Sequence, residues 1–208
     1  MRKNLILIGA GGHARSCIDV IEQEGKFKIT GIVGLESELG LQVNGFEVIA
    51  TDKDLSTLVD KAQFALITLG QISSPDARVS LYQRASKARL ELASVVSPSA
   101  YVSPSAQIGK GTIVMHGAII NAGVKVGSNC IINSRALLEH DTQVLDNCHI
   151  STGAILNGGV IVEEGCFIGS GAIVKEGVSI GERSVVGMGS QLRTNLSANS
   201  KFLGESLK

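Results

Sequence analysis

Tryptophan is absent from this 208-residue chain, and all aromatics together make up 3% of it. Two Tyr and five Phe give almost nothing on which bases of single-stranded nucleic acid would stack. Charge of either sign is not in excess: 19 Lys and Arg balance 19 Asp and Glu. A formal net charge of zero excludes the basic field that gathers nucleic acid or an anionic membrane. No apolar run is long enough to span a bilayer, which argues against membrane insertion. Arg2 and Lys3 precede a short apolar stretch that runs into Gly11-Gly12-His13. It is too short for a secretory signal and reads as the first strand of a cytoplasmic protein. The four cysteines suggest no disulfide framework. Three of them, Cys130, Cys148 and Cys166, stand eighteen apart and read as small core residues in one internal ladder rather than as metal ligands.

What the chain does have is a period of six. From Val96 to Leu192 every sixth residue is Val, Ile or Leu, seventeen times without interruption. Four residues after each comes a mostly small side chain, among them Ala118, Cys130, Thr142 and Ala154. Along a strand-like path these two positions point the same way. Glycines and polar residues fill the remaining sites, as turns require. Such a period fits short strands joined by turns, three hexads to a coil, in a parallel β-helix. The unbroken phase leaves no loop to cover a groove, so closure has to come from another subunit or from the N-terminal half.

That half, residues 1–95, alternates strands and helices. Strands are expected over 4–8, 28–33 and 64–69, and helices over 14–24, 52–61 and 75–88. An apolar run over 90–96 completes a small parallel sheet. The first strand ends in Gly9-Ala10-Gly11-Gly12-His13-Ala14, where glycines let the backbone approach a phosphate and a helix start supplies free N–H groups. Val33-Gly34-Leu35 stand where a dinucleotide site places an acidic residue, so a nicotinamide cofactor is disfavoured and another phosphate-bearing ligand preferred. The boundary to the second domain, 96–208, lies near Ser97-Pro98-Ser99-Ala100, a segment repeated six residues later.

A Rossmann-like βα domain carrying Gly-x-Gly-Gly-His, followed by hexapeptide repeats and the segment Asn133 to Asp141 with Cys148-His149-Ile150-Ser151, resembles the sugar acetyltransferases of the sialic-acid and bacillosamine type (NeuD/PglD-like). The resemblance implies a left-handed β-helix and a homotrimer with acetyl-CoA between adjacent helices. It implies His140 as general base with Asp141 supporting it. The nucleotide-sugar acceptor would meet Gly11, Gly12, His13, Gly70 and Asn133; the coenzyme would meet His149, Gly158 and Gly187. The expected reaction is acetyl transfer to an amino group of a nucleotide-linked sugar for glycan or glycoprotein biosynthesis. O-acetylation of a sialic or related nonulosonic acid, and a non-catalytic nucleotide-sensing scaffold, are the alternatives. Gly34-Leu35 replaces an acidic pair, Gln71 stands in place of Asn, and the ending Gly204 to Lys208 lacks Gly-x-Pro-Ala-Lys.

The histidines divide by context. His140 takes an outward position in its hexad between Glu139 and Asp141, and an imidazole suits proton removal during attack on a thioester. His149 either lines the same groove or plays no part in it. His13 opens the first helix, as a substrate contact or a turn residue. His116 has no supporting neighbour in the sequence and is assigned to the surface.

Overall fold

A computed structural model describes residues 2–204; the divergent ending at 205–208 lies outside the described residues. The N-terminal part comprises β1 (Lys3–Ile8), α1 (Gly12–Glu24), β2 (Phe27–Gly34), β3 (Gln42–Val43), β4 (Phe46–Thr51), β5 (Phe64–Ile67), α2 (Asp76–Lys87) and β6 (Glu91–Leu92). The sheet order is β3-β4-β2-β1-β5-β6, parallel except for the β3–β4 pair. Leu5 to Ile8 are buried on both faces of the central strand, as a parallel sheet covered on both sides demands. On α1 the apolar stripe Ala14, Cys17, Ile18 and Ile21 packs against the sheet.

Three segments depart from the reading of the sequence. The β3–β4 hairpin was not foreseen, although Asn44-Gly45, at φ 48° and 83°, is the residue pair a two-residue hairpin turn favours. The helix expected over 52–61 is instead a 3-10 segment, Asp52–Thr57. There the Thr57 hydroxyl donates to the Asp54 carbonyl at 2.8 Å, and the Asp54 carboxylate accepts from the Thr51 N–H at 2.9 Å. The Asp54 bond belongs to a capping box that starts the segment, while the Thr57 back-bond to the i−3 carbonyl accompanies its early end. The apolar run 90–96 is also split: β6 ends at Leu92, and Val95–Val96 already pairs with Ile113–Val114 as the first solenoid strand.

The remainder is a left-handed parallel β-helix with three faces of seven, six and five short strands. Each strand pairs with the one eighteen residues later, for example Ile113 with Ile131 and Ile119 with Leu137. Both sequence series point inward. Ile120, Ile132, Leu138, Ile150 and Ile168 are fully buried, and so are Ala118, Cys130, Thr142, Cys148 and Ala154. The three cysteine thiols of the ladder each donate to a backbone carbonyl at 3.1 Å, those of Leu145, Glu163 and Gly181. One turn position, from Gly111 to Gly189 in steps of six, has φ between 55° and 74° throughout. Glycine takes this left-handed backbone freely. Four consecutive coil corners nevertheless hold other residues there: Asn129, Arg135, Asp141 and Asn147. The last coil shortens to sixteen residues, since Val186 pairs with Phe202 and Ile180 with Leu196.

The N-terminal part covers the seven-stranded face. Ile113, Met115 and Ile131 share a core with Ala14, Cys17 and Ile18 of α1, and Asp76 bonds Arg183 at 2.7 Å.

Candidate active site

His140 sits in the turn after the strand Leu137–Leu138, at the edge between the six- and five-stranded faces. Its Nδ1 lies 3.0 Å from Asp141 Oδ2. A carboxylate only accepts, so Nδ1 carries the proton and Nε2 presents a lone pair. That nitrogen stands over Gly158: a Cβ added there would come within 2.6 Å of it. Any larger residue at 158 would displace the ring. Asp141 holds φ 60°, a strained conformation that Asp tolerates better than most residues. Glu139, Asn157 and Glu176 complete an open recess around the imidazole, and Glu139 accepts from Asn121 at 3.0 Å.

A second polar cluster lies where the N-terminal part meets the solenoid. His149, on the strand His149–Ile150 of the seven-stranded face, is only 7% exposed. Its Nδ1 is 2.6 Å from the Gln71 carbonyl oxygen and its Nε2 3.2 Å from Asn133 Nδ2. Gln71, itself buried, donates from its side chain to the Asn147 carbonyl at 2.9 Å. Arg78, on α2, is wholly enclosed. Its guanidinium donates to the carbonyls of Ile67, Leu69 and Asn129 at 2.7–3.2 Å. No carboxylate accepts from it among the described residues, and one terminal nitrogen has no partner. His13 Nε2 is also buried without a partner, and Gly70 lies against its side chain. Within one chain His149 and His140 are not neighbours. The two stand on different parts of the prism, and the covering domain buries His149.

The third feature is a crevice of about 430 Å³ at the carboxyl ends of β1, β2 and β5, lined by Gly9, Gly11, Gly34, Leu35 and Leu69 with Asp52 and Arg84 at its rim. It falls where the strand order reverses, β2 to one side of β1 and β5 to the other, the usual ligand position in such sheets. Gly9 is required by the backbone: at φ 117° its Cβ would lie 2.7 Å from the Leu69 nitrogen. Gly11 precedes α1 and Gly12 begins it; a Cβ on either meets nothing within 4 Å. A fourth feature, a trough of about 610 Å³, runs over the last coils between Met188–Thr194 and Phe202–Gly204. Gly187 stands one residue outside it, 3.1 Å from the Leu203 Cα by the same construction.

Residues 4–85 match the PglD N-terminal domain, residues 105–140 the bacterial transferase hexapeptide (six repeats), and residues 159–192 the hexapeptide repeat of succinyl-transferase. No curated protein matches the chain. Among solved structures, PerB from Caulobacter crescentus, in complex with CoA and GDP-perosamine, is 32% identical with a TM-score of 0.88. The alignment covers 95% of this chain and 92% of that one. The acetyltransferase domain of PglB from Neisseria gonorrhoeae, in complex with acetyl coenzyme A, is 29% identical with a TM-score of 0.86, over 95% and 94% of the two chains. This chain belongs to the PglD-like sugar acetyltransferases of the hexapeptide-repeat superfamily.

For a PglD-like chain, the joint between the two parts holds more than its sequence announces. His116 is not an isolated surface residue: its Nδ1 bonds Ser97 Oγ at 2.7 Å and its Nε2 bonds Asp19 Oδ2 at 2.8 Å. It clasps α1 to the solenoid, and no local pattern signals a partner 97 residues away. Arg78 likewise carries no signal in the sequence, and Gln71 stands out there only as a departure from the family's Asn. Among the described residues no helix is long and apolar enough to cross a membrane.

The joint also sets acid sensitivity. Burial, then the charge of Arg78, pushes His13 down to about 3. Burial likewise brings His149 down to about 4, against the pull of the Gln71 carbonyl. In the unfolded chain both take a proton near the ordinary 6.5. Between these values the unfolded state binds more protons, so stability falls as pH drops from 6.5 towards 4 and levels off below the folded values. Melting temperature measured across that window should decline in the parent and decline less in His149→Phe. Equal slopes would show that His149 is not the group responsible.

Proposed function

We propose that this protein transfers acetyl from acetyl-CoA to an amino group of a nucleotide-linked amino sugar, for surface glycan or glycoprotein biosynthesis. The observation that carries the reading is His140, its Nδ1 tied to Asp141 and its Nε2 free over Gly158. An amine attacking a thioester must shed a proton, and a free imidazole nitrogen at the open surface is placed to take it. Asp141 fixes the tautomer and stabilises the cation that forms. The crevice with Gly9, Gly11 and the start of α1 takes the nucleotide end. Acetyl-CoA is the co-substrate. The trough fits a long polar ligand, with Arg193 on its wall for phosphate and the buried Ser190 hydroxyl without a partner among the described residues.

The working form in this reading is a homotrimer. Outward side chains on the five-stranded face are mostly polar (Gln107, Lys125, Gln143), and the N-terminal part covers the seven-stranded face. The six-stranded face instead carries the outward row Tyr101, Ile119, Leu137, Ile155 and Ile173, with Tyr101 55% exposed and Ile119 41% exposed. A contiguous apolar row on one face of a polar prism suits a second copy. His140 stands at the edge of that face, away from the face that bears its own N-terminal part. Association would bring it to a neighbour's acceptor site.

Thiol release from acetyl-CoA over UDP-, GDP- and CMP-linked amino sugars tests the reaction. Turnover is expected with an amino sugar and absent with the corresponding hydroxyl sugar; transfer to hydroxyl alone, or no transfer at all, rejects the assignment. Gly11→Val should raise the acceptor KM by about tenfold or more while leaving that of acetyl-CoA within about twofold. A Cβ there meets no protein atom within 4 Å, so the added bulk falls in the crevice where the ligand binds. An equal rise for both substrates would move the nucleotide site elsewhere.

A further inference from the structure

We infer that Glu38 selects ribose at the nucleotide end of the acceptor. Its carboxylate accepts from a ribose hydroxyl and supplies, from a turn, the acidic group that the end of β2 lacks. The inference rests on the reading above that places the nucleotide in the crevice, and it names what tells a ribonucleotide from a deoxyribonucleotide there.

β2 ends at Gly34, and the Leu35 side chain that follows is exposed. Neither side chain can accept from a sugar, although this is the strand end where dinucleotide-binding sheets place a ribose-reading carboxylate. The chain then enters a 3-10 turn, Glu36–Glu38. Glu36 and Ser37 are exposed, whereas Glu38 is half-buried and forms part of the crevice wall. Backbone bonds pin this turn. The Glu38 N–H donates to the Leu35 carbonyl at 2.9 Å, and the Gly40 N–H donates to the Val48 carbonyl of β4 at 2.9 Å. The Glu38 side chain folds back over the same turn, where its Oε2 accepts from the Leu35 N–H at 2.7 Å.

Gly34 makes room for that fold-back. A Cβ on it would lie 2.7 Å from Glu38 Oε2 and 2.9 Å from Val48 Cγ1, so a larger residue at 34 pushes the carboxylate away. Losing a side chain at 34 and bringing in the carboxylate of 38 are therefore one structural change. The same Cβ position is 3.4 Å from Ala10 Cβ, in the Gly9-Ala10-Gly11 loop that takes phosphate in this reading. A carboxylate so near that loop repels a phosphate, but it suits the group between phosphate and base, the ribose, whose hydroxyls donate. The base then lies further along, against Leu69, Ala77 and Leu81. Two carboxylates line the crevice, and Asp52 is already engaged by Arg84. Glu38 Oε1 has no protein partner among the described residues, so it is the oxygen left to accept from a ligand.

Titration calorimetry on the full chain tests this with UDP, GDP and CMP and the 2′-deoxy and 3′-deoxy form of each. The parent should bind a ribonucleotide of the panel about tenfold or more tighter than one of its deoxy forms, the worth of a hydrogen bond to a charged group. Glu38→Ala should lose about that factor for the ribonucleotide and bind its sugar forms within about twofold of one another. The parent comparison needs no substitution, so a variant that failed to fold could not hide the outcome, and the melting temperature checks the variant. Equal binding of all three sugar forms by the parent overturns the inference. So does a folded Glu38→Ala protein that still discriminates, or a uniform loss in the variant with no sugar preference in the parent, which would put Glu38 on the base. A parent that binds no ribonucleotide overturns it together with the placement of the nucleotide. Turnover plays no part in these measurements. Sugar discrimination through Glu38 in a protein that transfers no acetyl would uphold the inference and remove only the acetyl-transfer reading; an active transferase without that discrimination would do the reverse.

Discussion

His140→Ala is expected to lower kcat by about 10²–10⁴-fold, roughly 3–5 kcal/mol of barrier, in a protein that remains folded. The loss is that expected of the proposed general base, whose Nε2 has no partner among the described residues and whose Nδ1 is held by Asp141. The side chain is 68% exposed and belongs to a turn outside the solenoid core, so little packing is lost and the melting temperature should hardly move. Asp141→Asn should cost less, because a carbonyl oxygen can still accept from Nδ1 while the negative charge is gone. A folded His140→Ala protein that keeps more than about a tenth of the parent kcat would remove His140 from this role.

The solenoid was legible because its contacts repeat in the sequence. Ile120 packs with residues one coil away, at a fixed eighteen, so its burial is written in the same period that places Leu138 and Leu156. The first strand and α1 were legible for a related reason: each has its own apolar pattern and a Gly-rich junction between them. The candidate site was legible only in part. His140 and Asp141 are neighbours in sequence, and their pairing needs no tertiary knowledge. The Gln71–His149 bond joins residues 78 apart, and the Arg78–Asn129 bond residues 51 apart. No periodicity encodes them. His149 shows the difficulty in a single residue. Its hexad position faces outward, as the spacing says, but outward on that face means into the N-terminal part, because Gln71 covers it. The β3–β4 hairpin was lost for a simpler reason: its strands are short and flank a two-residue turn inside a stretch that otherwise reads as a loop.

Ile119→Asp combined with Ile173→Asp should convert the proposed trimer to a monomer and reduce acetyl transfer by about a hundredfold or more. Both side chains belong to the outward row of the six-stranded face and are about two-fifths exposed in the single chain, at 41% and 38%. Burial of such a side chain against a partner is worth roughly 25 cal/mol for each Å² of apolar surface. A carboxylate in the same place must instead be desolvated without a partner, and three copies meeting at one surface multiply that cost. The fold itself should be indifferent, because the inward neighbours Ile120 and Val174 are fully buried and untouched. Light scattering is therefore expected to give a monomer whose circular dichroism matches the parent. Lys125→Asp on the polar five-stranded face is the control, and it should remain trimeric and active. The activity loss follows if each site takes His140 from one copy and the nucleotide crevice from another, since separated chains then hold two incomplete halves. A monomer that retained the parent kcat and both KM values would show that one chain carries the whole site, and the shared arrangement would have to be abandoned.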